Sequence, residues 1–343
     1  MLRLELRATP SRLMSWLSPL LALLLTVLCG VLLFVALGKD PLAGLAVFFL
    51  EPIRDLRGWS EVGIKVAPLL MISIGLAVCY RANVFNIGAE GQLVAGAIAG
   101  GAAALWLDHG DNGGALLITL VLLAGMAGGM LWAAMTAYLR DAFNASEILV
   151  SLMLVYIAQL LLSYLVHGYL KDPAGFNFPQ SKMLSDGFLL PMVIPQTRLH
   201  LGIVLALIAS AIAWVFLSRS FAGYKLQVGG MAPAAARYAG FSGRKSLWTS
   251  MMVCGALAGL AGVCEVIGPI GQLTPSVSPG YGFAAIIVAY VGRLHPVGVI
   301  FSSFIMALFY IGGELAQSRL GMPNAITGVF QGILLFALLA CDV

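Results

Sequence analysis

The chain has 343 residues, of which 60% are hydrophobic and 10% are charged, and its formal net charge is +4. Soluble domains carry about 25% charged residues, so this composition excludes an ordinary soluble protein, and the mean hydropathy of +0.97 also excludes a disordered chain. The composition is that of an integral membrane protein surrounded by lipid. The basic residues are thinly spread, which argues against nucleic acid as a partner.

The first apolar run covers residues 15–38 and follows three arginines, Arg3, Arg7 and Arg12. Bases flanking a membrane span favour the cytoplasmic side, so we expect a cytoplasmic N-terminus. The run is longer than that of a signal peptide, and we predict that it is retained as the first span. Residues 39–64 mix charged and apolar residues, which predicts an amphipathic external segment.

Further apolar runs follow, separated by polar, glycine- or proline-containing breaks. They predict an all-α integral membrane protein with about ten transmembrane helices, arranged as two inverted five-helix halves. The breaks after the second and eighth spans correspond, which is typical of the interrupted helices of repeat-built transporters, and simple connecting turns are the alternative interpretation. The count depends most on residues 281–316. The predicted spans are 15–38, 65–80, 93–107, 115–138, 147–166, 199–217, 247–268, 281–292, 296–316 and 325–341.

Two connections are long, and we expect residues 1–343 to form a single transmembrane domain around them. The segment 167–198 contains four prolines and is predicted to be an external loop. The segment 218–246 contains no acidic residue, which predicts a cytosolic position. Its five bases are Arg219, Lys225, Arg237, Arg244 and Lys245.

The segment 83–92 concentrates amides between two spans. Asn83, Asn86, Glu90 and Gln92 lie there among glycines. Asn and Gln can satisfy backbone groups that leave helical geometry at membrane depth, which is one interpretation. The other is a transport pathway whose amides bind a neutral polar solute. Glu265, near the predicted external end of the seventh span, is a second candidate for that pathway.

The sequence offers no enzymatic site. It has no Walker lysine motif, no His or Cys pair at metal-ligand spacing and no Gly-x-Ser-x-Gly setting for a nucleophile. We therefore expect no catalytic residue, no metal and no cofactor. The chain also shows no energy source of its own.

Residues 83–92, Asn-Val-Phe-Asn-Ile-Gly-Ala-Glu-Gly-Gln, resemble the hallmark segment of ABC-importer permeases of the branched-chain amino acid/simple sugar class, and are closest to its nucleoside (purine nucleoside) branch. The resemblance covers most of the chain from about residue 60. Two positions differ from the family pattern, because Ala232 and Val155 stand where asparagine is usual. The other stretches that carry the resemblance are 147–156, 230–240, 265–268, 280–283, 313–314 and 331–332.

The resemblance implies half of a translocation pore in the cell inner membrane. Its partners would be a second permease subunit, identical or related, a cytosolic ABC ATPase dimer and an external solute-binding protein. It also implies a coupling helix at 233–240 that docks on the ATPase. Pro233 can begin a helix and Gly240 can end it, while Arg237 can meet a carboxylate of the partner. Ala236 and Tyr238 complete this candidate coupling element.

The resemblance favours nucleosides as substrate, with simple sugars as the alternative. A second class of function remains open at this stage, a secondary transporter driven by an ion gradient, because Glu90, Glu265 and Glu314 lie in or near spans. A membrane-embedded enzyme is a third class, for which the sequence offers no nucleophile and base.

Overall fold

The computed structural model describes residues 12–110, 113–323 and 325–342 of the chain. Within these ranges the only β pairing is an isolated bridge between Met192 and His200, which confirms the predicted all-α class. Arg3 and Arg7, on which the predicted cytoplasmic N-terminus depends, lie outside the described residues. The helices are α1 Arg12–Ala36, α2 Pro41–Leu45, α3 Leu56–Arg81, α4 Ala89–Leu107, α5 Ala115–Phe143, α6 Glu147–His167, α7 Gly202–Arg219, α8 Phe221–Met231, α9 Pro233–Tyr238, α10 Gly243–Glu265, α11 Tyr281–Val291, α12 Pro296–Leu320 and α13 Ala325–Asp342.

Seven helices in the described residues are long and apolar enough to cross a membrane: α1, α3, α5, α6, α7, α10 and α12. Each of the ten predicted spans overlaps a helix. Seven of them overlap these long apolar helices, and the remaining three overlap α4, α11 and α13. The 11-residue α11 is roughly 16 Å long, about half the thickness of the hydrocarbon core. The count of ten crossings and the inversion of two halves stay predictions.

The predicted start of the second span, at residue 65, is wrong because α3 already begins at Leu56. Charged residues misled the prediction. Arg57 is exposed and Glu61 half-buried, whereas Val62 and Ile64 are buried, so the charges occupy the open side of one continuous helix. Segment 218–246 contains the helix α9 at the place of the predicted coupling helix, and also α8, which the sequence analysis did not predict.

The described chain divides into two compact units. One comprises the chain up to Gly58 together with the chain from Leu308. Its core is aromatic: the rings of Phe48 and Phe330 stack with centroids 4.4 Å apart, and Phe34 and Phe309 pack beside them. An ion pair between Glu51 and Arg319 ties the same unit.

The other unit is Trp59–Ala307, and its core is built by close contacts of α4, α5 and α10. Glycines make these contacts possible. A Cβ at Gly96 would overlap the backbone of Gly259, and a Cβ at Gly255 would lie 2.6 Å from the carbonyl oxygen of Gly129. Small residues let helices in a membrane approach closely, which is how an apolar chain gains packing energy without help from water. The α3 residues from Val66 to Tyr80 are also buried here.

Candidate functional site

The candidate site begins where α3 ends. Asn83 adopts a left-handed conformation, with φ of 57°, and the N–H of Val84 bonds to the carbonyl of Cys79 at 3.0 Å. This geometry is a Schellman-type helix end, and asparagine is one of the few residues other than glycine that tolerate it. Asn83 is exposed and lies apart from the other amides of the segment. Asn83 therefore terminates α3.

Asn86 and Gln92 form a reciprocal pair of amides in the interior. The Asn86 Nδ2 donates to Gln92 Oε1 at 3.1 Å, and Gln92 Nε2 donates back to Asn86 Oδ1 at 3.3 Å. Asn86 also accepts from the N–H of Gly88 at 2.9 Å and donates to the Sγ of Cys254 at 3.2 Å. Both side chains are at most 1% exposed, so the pair fixes the entry of the chain into α4.

Glu90 joins two helix beginnings. It lies in the first turn of α4, and its Oε2 accepts a 2.6 Å hydrogen bond from the N–H of Gly282 in the first turn of α11. The Oγ of Ser278 accepts from the N–H of Tyr281 at 3.1 Å. A carboxylate is favourable near helix N-termini, because unpaired N–H groups and the helix dipole both place positive charge there. Glu90 therefore stabilises the start of a half-length helix inside the protein.

The first turns of α6 also contact the break between α3 and α4. Glu147 Oε1 accepts a 2.6 Å ion-pair bond from Arg140, and Ser151 Oγ accepts from the N–H of Ile87 at 3.2 Å. One turn further, Val155 packs against Gly91 of α4. The family pattern has an asparagine at this position, and here the apolar Val155 makes the buried contact instead. Sequence reasoning missed Ser151, although its spacing of four from Glu147 puts both on one helix face.

Glu265 ends α10 at a second polar cluster. It is 4% exposed, its Oε1 has no hydrogen-bond partner among the described residues, and the charges of Lys65 and Arg198 act on it. Arg198 also pairs with Glu61 at 3.4 Å. The chain then leaves α-helical geometry through the π-helical turn Val266–Ile270, a feature frequent at functional sites.

The two clusters meet at the beginning of α11. The Nζ of Lys65 lies 5.8 Å from the centre of the Tyr281 ring, and Tyr281 precedes Gly282, the partner of Glu90. The structure thus places Asn86, Glu90 and Gln92 at the beginning of α4, whereas Glu265 lies at the end of α10. Within the described residues no group of three or more His, Cys, Asp or Glu side chains could hold a metal ion.

The candidate coupling element is a short helix with one buried side. Helix α9 begins at Pro233 and is followed by Gly240, whose φ is 76°. This confirms the predicted helix ends. Ala236 is buried, with 3% of its surface exposed, whereas Tyr238 is 97% exposed and Arg237 also faces outward. Ala232 makes no side-chain cap, as expected where alanine replaces asparagine.

Arg81, at the end of α3, links the helix before the candidate coupling element to the break between α3 and α4. Arg81 Nη1 donates to Gln227 Oε1 of α8 at 2.9 Å, and its Nε donates to the backbone oxygen of Leu294 at 2.9 Å. Gly230 of α8 also packs against the backbone of Arg81 and Ala82, where a Cβ would overlap. Sequence reasoning missed this contact. Nothing in the sequence predicts a partner for Gln227, which is one polar residue in a helix of both polar and apolar residues.

The chain matches, over residues 60–339, the family described as "Branched-chain amino acid transport system / permease component". A glucose ABC transporter permease of Haloferax volcanii is 32% identical over 99% of this chain and 92% of its own length. A guanosine ABC transporter permease of Bacillus subtilis is 30% identical over 94% and 93%. A nucleoside ABC transporter permease of Lactococcus lactis is 28% identical over 93% and 89%. No solved structure matches the chain.

Proposed function

Because the chain belongs to the family of permease components of branched-chain amino acid transport systems, we propose that it forms half of the translocation pore of an ABC importer for nucleosides. Family membership confirms the resemblance to ABC-importer permeases drawn from the sequence. The chain is a permease component of an ABC transporter, and its apolar helices make it a multi-pass membrane protein. Its relatives are transport components rather than enzymes.

The observation that carries the choice of nucleosides is the similarity to the guanosine and nucleoside permeases over almost their whole lengths. Simple sugars are the second candidate, because the glucose permease is similar over a comparable length. Both substrate classes are neutral, rich in hydroxyl groups and suited to hydrogen bonding by amides and carboxylates.

The pathway proposed for the solute includes Asn83, Asn86, Glu90, Gln92 and Glu265. Glu265 is the strongest of these, since a buried carboxylate oxygen without a partner is costly unless something hydrogen-bonds to it during the cycle. Asn86 and Gln92 are already paired with each other. We propose that they act chiefly by holding the break in shape, beside a pathway formed with the second permease subunit.

The proposed topology places the chain in the inner membrane with its N-terminus in the cytoplasm. Segment 218–246 is then cytosolic and segment 167–198 external, within a single permease domain of ten spans in two inverted halves. An ATPase dimer would bind below and a solute-binding protein above. The second permease subunit would be a further copy of this chain or a relative of it.

Coupling to the ATPase would use the exposed side of α9. Tyr238 and Arg237 project outward, while Ala236 packs inward and Pro233 and Gly240 fix the helix ends. Exposed tyrosine and arginine are the residue types most often found at the energetic centre of protein interfaces. ATP-driven closure of the ATPases would move α9 and, through α8, the spans.

The substrate is tested by uptake in cells that lack the gene. We expect the uptake of labelled guanosine and inosine to fall, while ribose and galactose uptake is unchanged. Loss of sugar uptake with normal nucleoside uptake would establish the second candidate instead. Transport by the chain alone in proteoliposomes, abolished by collapse of an ion gradient and indifferent to ATP, would contradict the assignment to an ATP-driven importer.

The coupling role is tested with Tyr238→Ala, measured by co-purification of the ATPase and by uptake. We expect both to fall, because truncation of a central interface tyrosine costs about 2 kcal/mol or more of binding free energy. The matched control is Tyr169→Ala, which removes a tyrosine that is 85% exposed within the predicted external loop. Equal losses in the two variants, or none in Tyr238→Ala, would refute the proposed docking.

A further inference from the structure

A cavity of about 380 Å³ opens between α8, α9 and the beginning of α10. Three basic residues line it, Lys225, Arg237 and Lys245, one from each of these helices. Apolar residues, among them Leu226 and Ala236, form its floor. The cavity is therefore a preformed basic pocket, which shares Arg237 with the coupling proposal but is not lined by Tyr238.

The positive charge in this basic pocket is not neutralised by the protein. In the part of the chain that the structure describes, no carboxylate lies within ion-pair distance of Lys225, Arg237 or Lys245. The Nζ of Lys225 instead lies 4.3 Å from the centre of the Phe221 ring. The neighbouring Arg244 differs, because it points away and pairs with Asp141 at 2.7 Å.

A hydroxyl group in the wall of the basic pocket also lacks a partner. The Oγ of Ser246 is buried and makes no hydrogen bond within the described residues. It lies in the second turn of α10, close to the positive end of a 23-residue helix. Buried hydroxyl groups in native proteins are nearly always hydrogen-bonded, so this hydroxyl is available to donate to a ligand bound beside it.

The helix that borders the basic pocket has the composition of a membrane–water boundary. Phe221 and Tyr224 are exposed on α8 beside Lys225. Aromatic rings concentrate at the level of lipid headgroups, and basic residues beside them attract anionic lipid. A pocket at this level lies within reach of lipid phosphates.

We propose that the basic pocket binds the phosphate of an anionic phospholipid headgroup. Lys225, Arg237 and Lys245 surround the phosphate, the Ser246 hydroxyl donates to one of its oxygens, and the acyl chains leave past Phe221. A phosphate has enough acceptor oxygens to meet three cations and a hydroxyl at once. Bound lipid then braces α9 against α10, which makes the position of the coupling element sensitive to the lipid around it.

The test is native mass spectrometry of the purified full chain in detergent, titrated separately with phosphatidylglycerol, phosphatidylcholine and inorganic phosphate. We expect phosphatidylglycerol to bind most tightly. Lys245→Gln should weaken it about fivefold and Lys225→Gln/Lys245→Gln about 25-fold, since each base near a membrane surface contributes about that factor. Ser246→Ala should weaken it as well, without any change in charge.

The matched control is Arg244→Gln, which removes the same charge one residue away but from a side chain paired with Asp141. It should leave the affinity for phosphatidylglycerol unchanged. Equal affinity for phosphatidylglycerol in wild type and the double variant would overturn the proposal, and so would inorganic phosphate binding as tightly as lipid. Carbodiimide cross-linking of Lys245 to a carboxylate of another protein in native membranes would show that a protein occupies the pocket and would equally overturn it.

Discussion

Arg81, the last residue of α3, donates a 2.9 Å hydrogen bond to Gln227 of α8. The same guanidinium bonds to the backbone oxygen of Leu294, in the turn between α11 and α12, and Gln227 in turn donates to the backbone oxygen of Leu217 at 2.7 Å. Hydrogen bonds of Arg81 therefore connect α8, which precedes the candidate coupling element, to the break after α3 and to the turn between α11 and α12.

We expect Gln227→Ala to uncouple the proposed importer. The ATPase would still bind and hydrolyse ATP, but uptake would fall about fivefold or more, which corresponds to a typical coupling free energy. The measurement is the ratio of ATP hydrolysed to solute transported in proteoliposomes. Gln272→Ala is the control, since Gln272 makes a comparable amide bond to Gln180 away from this link. A ratio equal to that of wild type would refute the role of the contact.

Glu90 is predicted to contribute mainly to the stability of the fold rather than directly to transport. Glu90→Ala leaves the N–H of Gly282 without its buried partner and should lower the free energy of unfolding by about 1–3 kcal/mol. Glu90→Gln keeps an acceptor oxygen and should cost less. Apparent unfolding temperatures of the two variants in detergent check the order. If Glu90→Gln retains wild-type stability but abolishes uptake, the carboxylate serves the pathway rather than the fold.

Gly96 is predicted to be irreplaceable for packing. A Cβ there would overlap the backbone of Gly259, so Gly96→Ala should force α4 and α10 apart and cost about 1–3 kcal/mol. Gly328→Ala is the control, because a Cβ at that position in α13 meets nothing within 4 Å. Thermal unfolding in detergent measures both. Equal unfolding temperatures for the two variants would contradict the packing argument.

The sequence predicts the helices well because hydropathy and turn residues act locally. The ends of α9 follow from Pro233 and Gly240, and the break after α3 follows from its polar residues. The partner of Glu90 is 192 residues away, and the contact of Val155 with Gly91 depends on how α6 crosses α4. Such pairs are set by tertiary packing, which has no local signal. For the same reason the amides of the break were grouped with Asn83, which lies apart.

His200, which lies just before the apolar helix that begins at Gly202 and not at the predicted residue 199, is predicted to make stability depend on pH. Burial, and then the positive charge of Arg198, lower the pKa of His200 from 6.5 to about 4. Its ring packs against Gly268, and its Nδ1 accepts a hydrogen bond from the N–H of Gly202 at 3.1 Å, so the neutral form is built into the fold. Between these pH values the unfolded chain binds more protons at this residue than the folded chain does.

The contribution of neutral His200 is therefore fully present above about pH 6.5 and is lost as the pH falls towards about 4. The loss is on the order of 3 kcal/mol. Apparent unfolding temperatures measured across this range should fall more steeply for the wild type than for His200→Asn, which keeps an acceptor but does not titrate. His109→Asn, at an exposed position, should retain the wild-type slope. Parallel curves for the wild type and His200→Asn would show that this histidine does not govern the acid sensitivity of the fold.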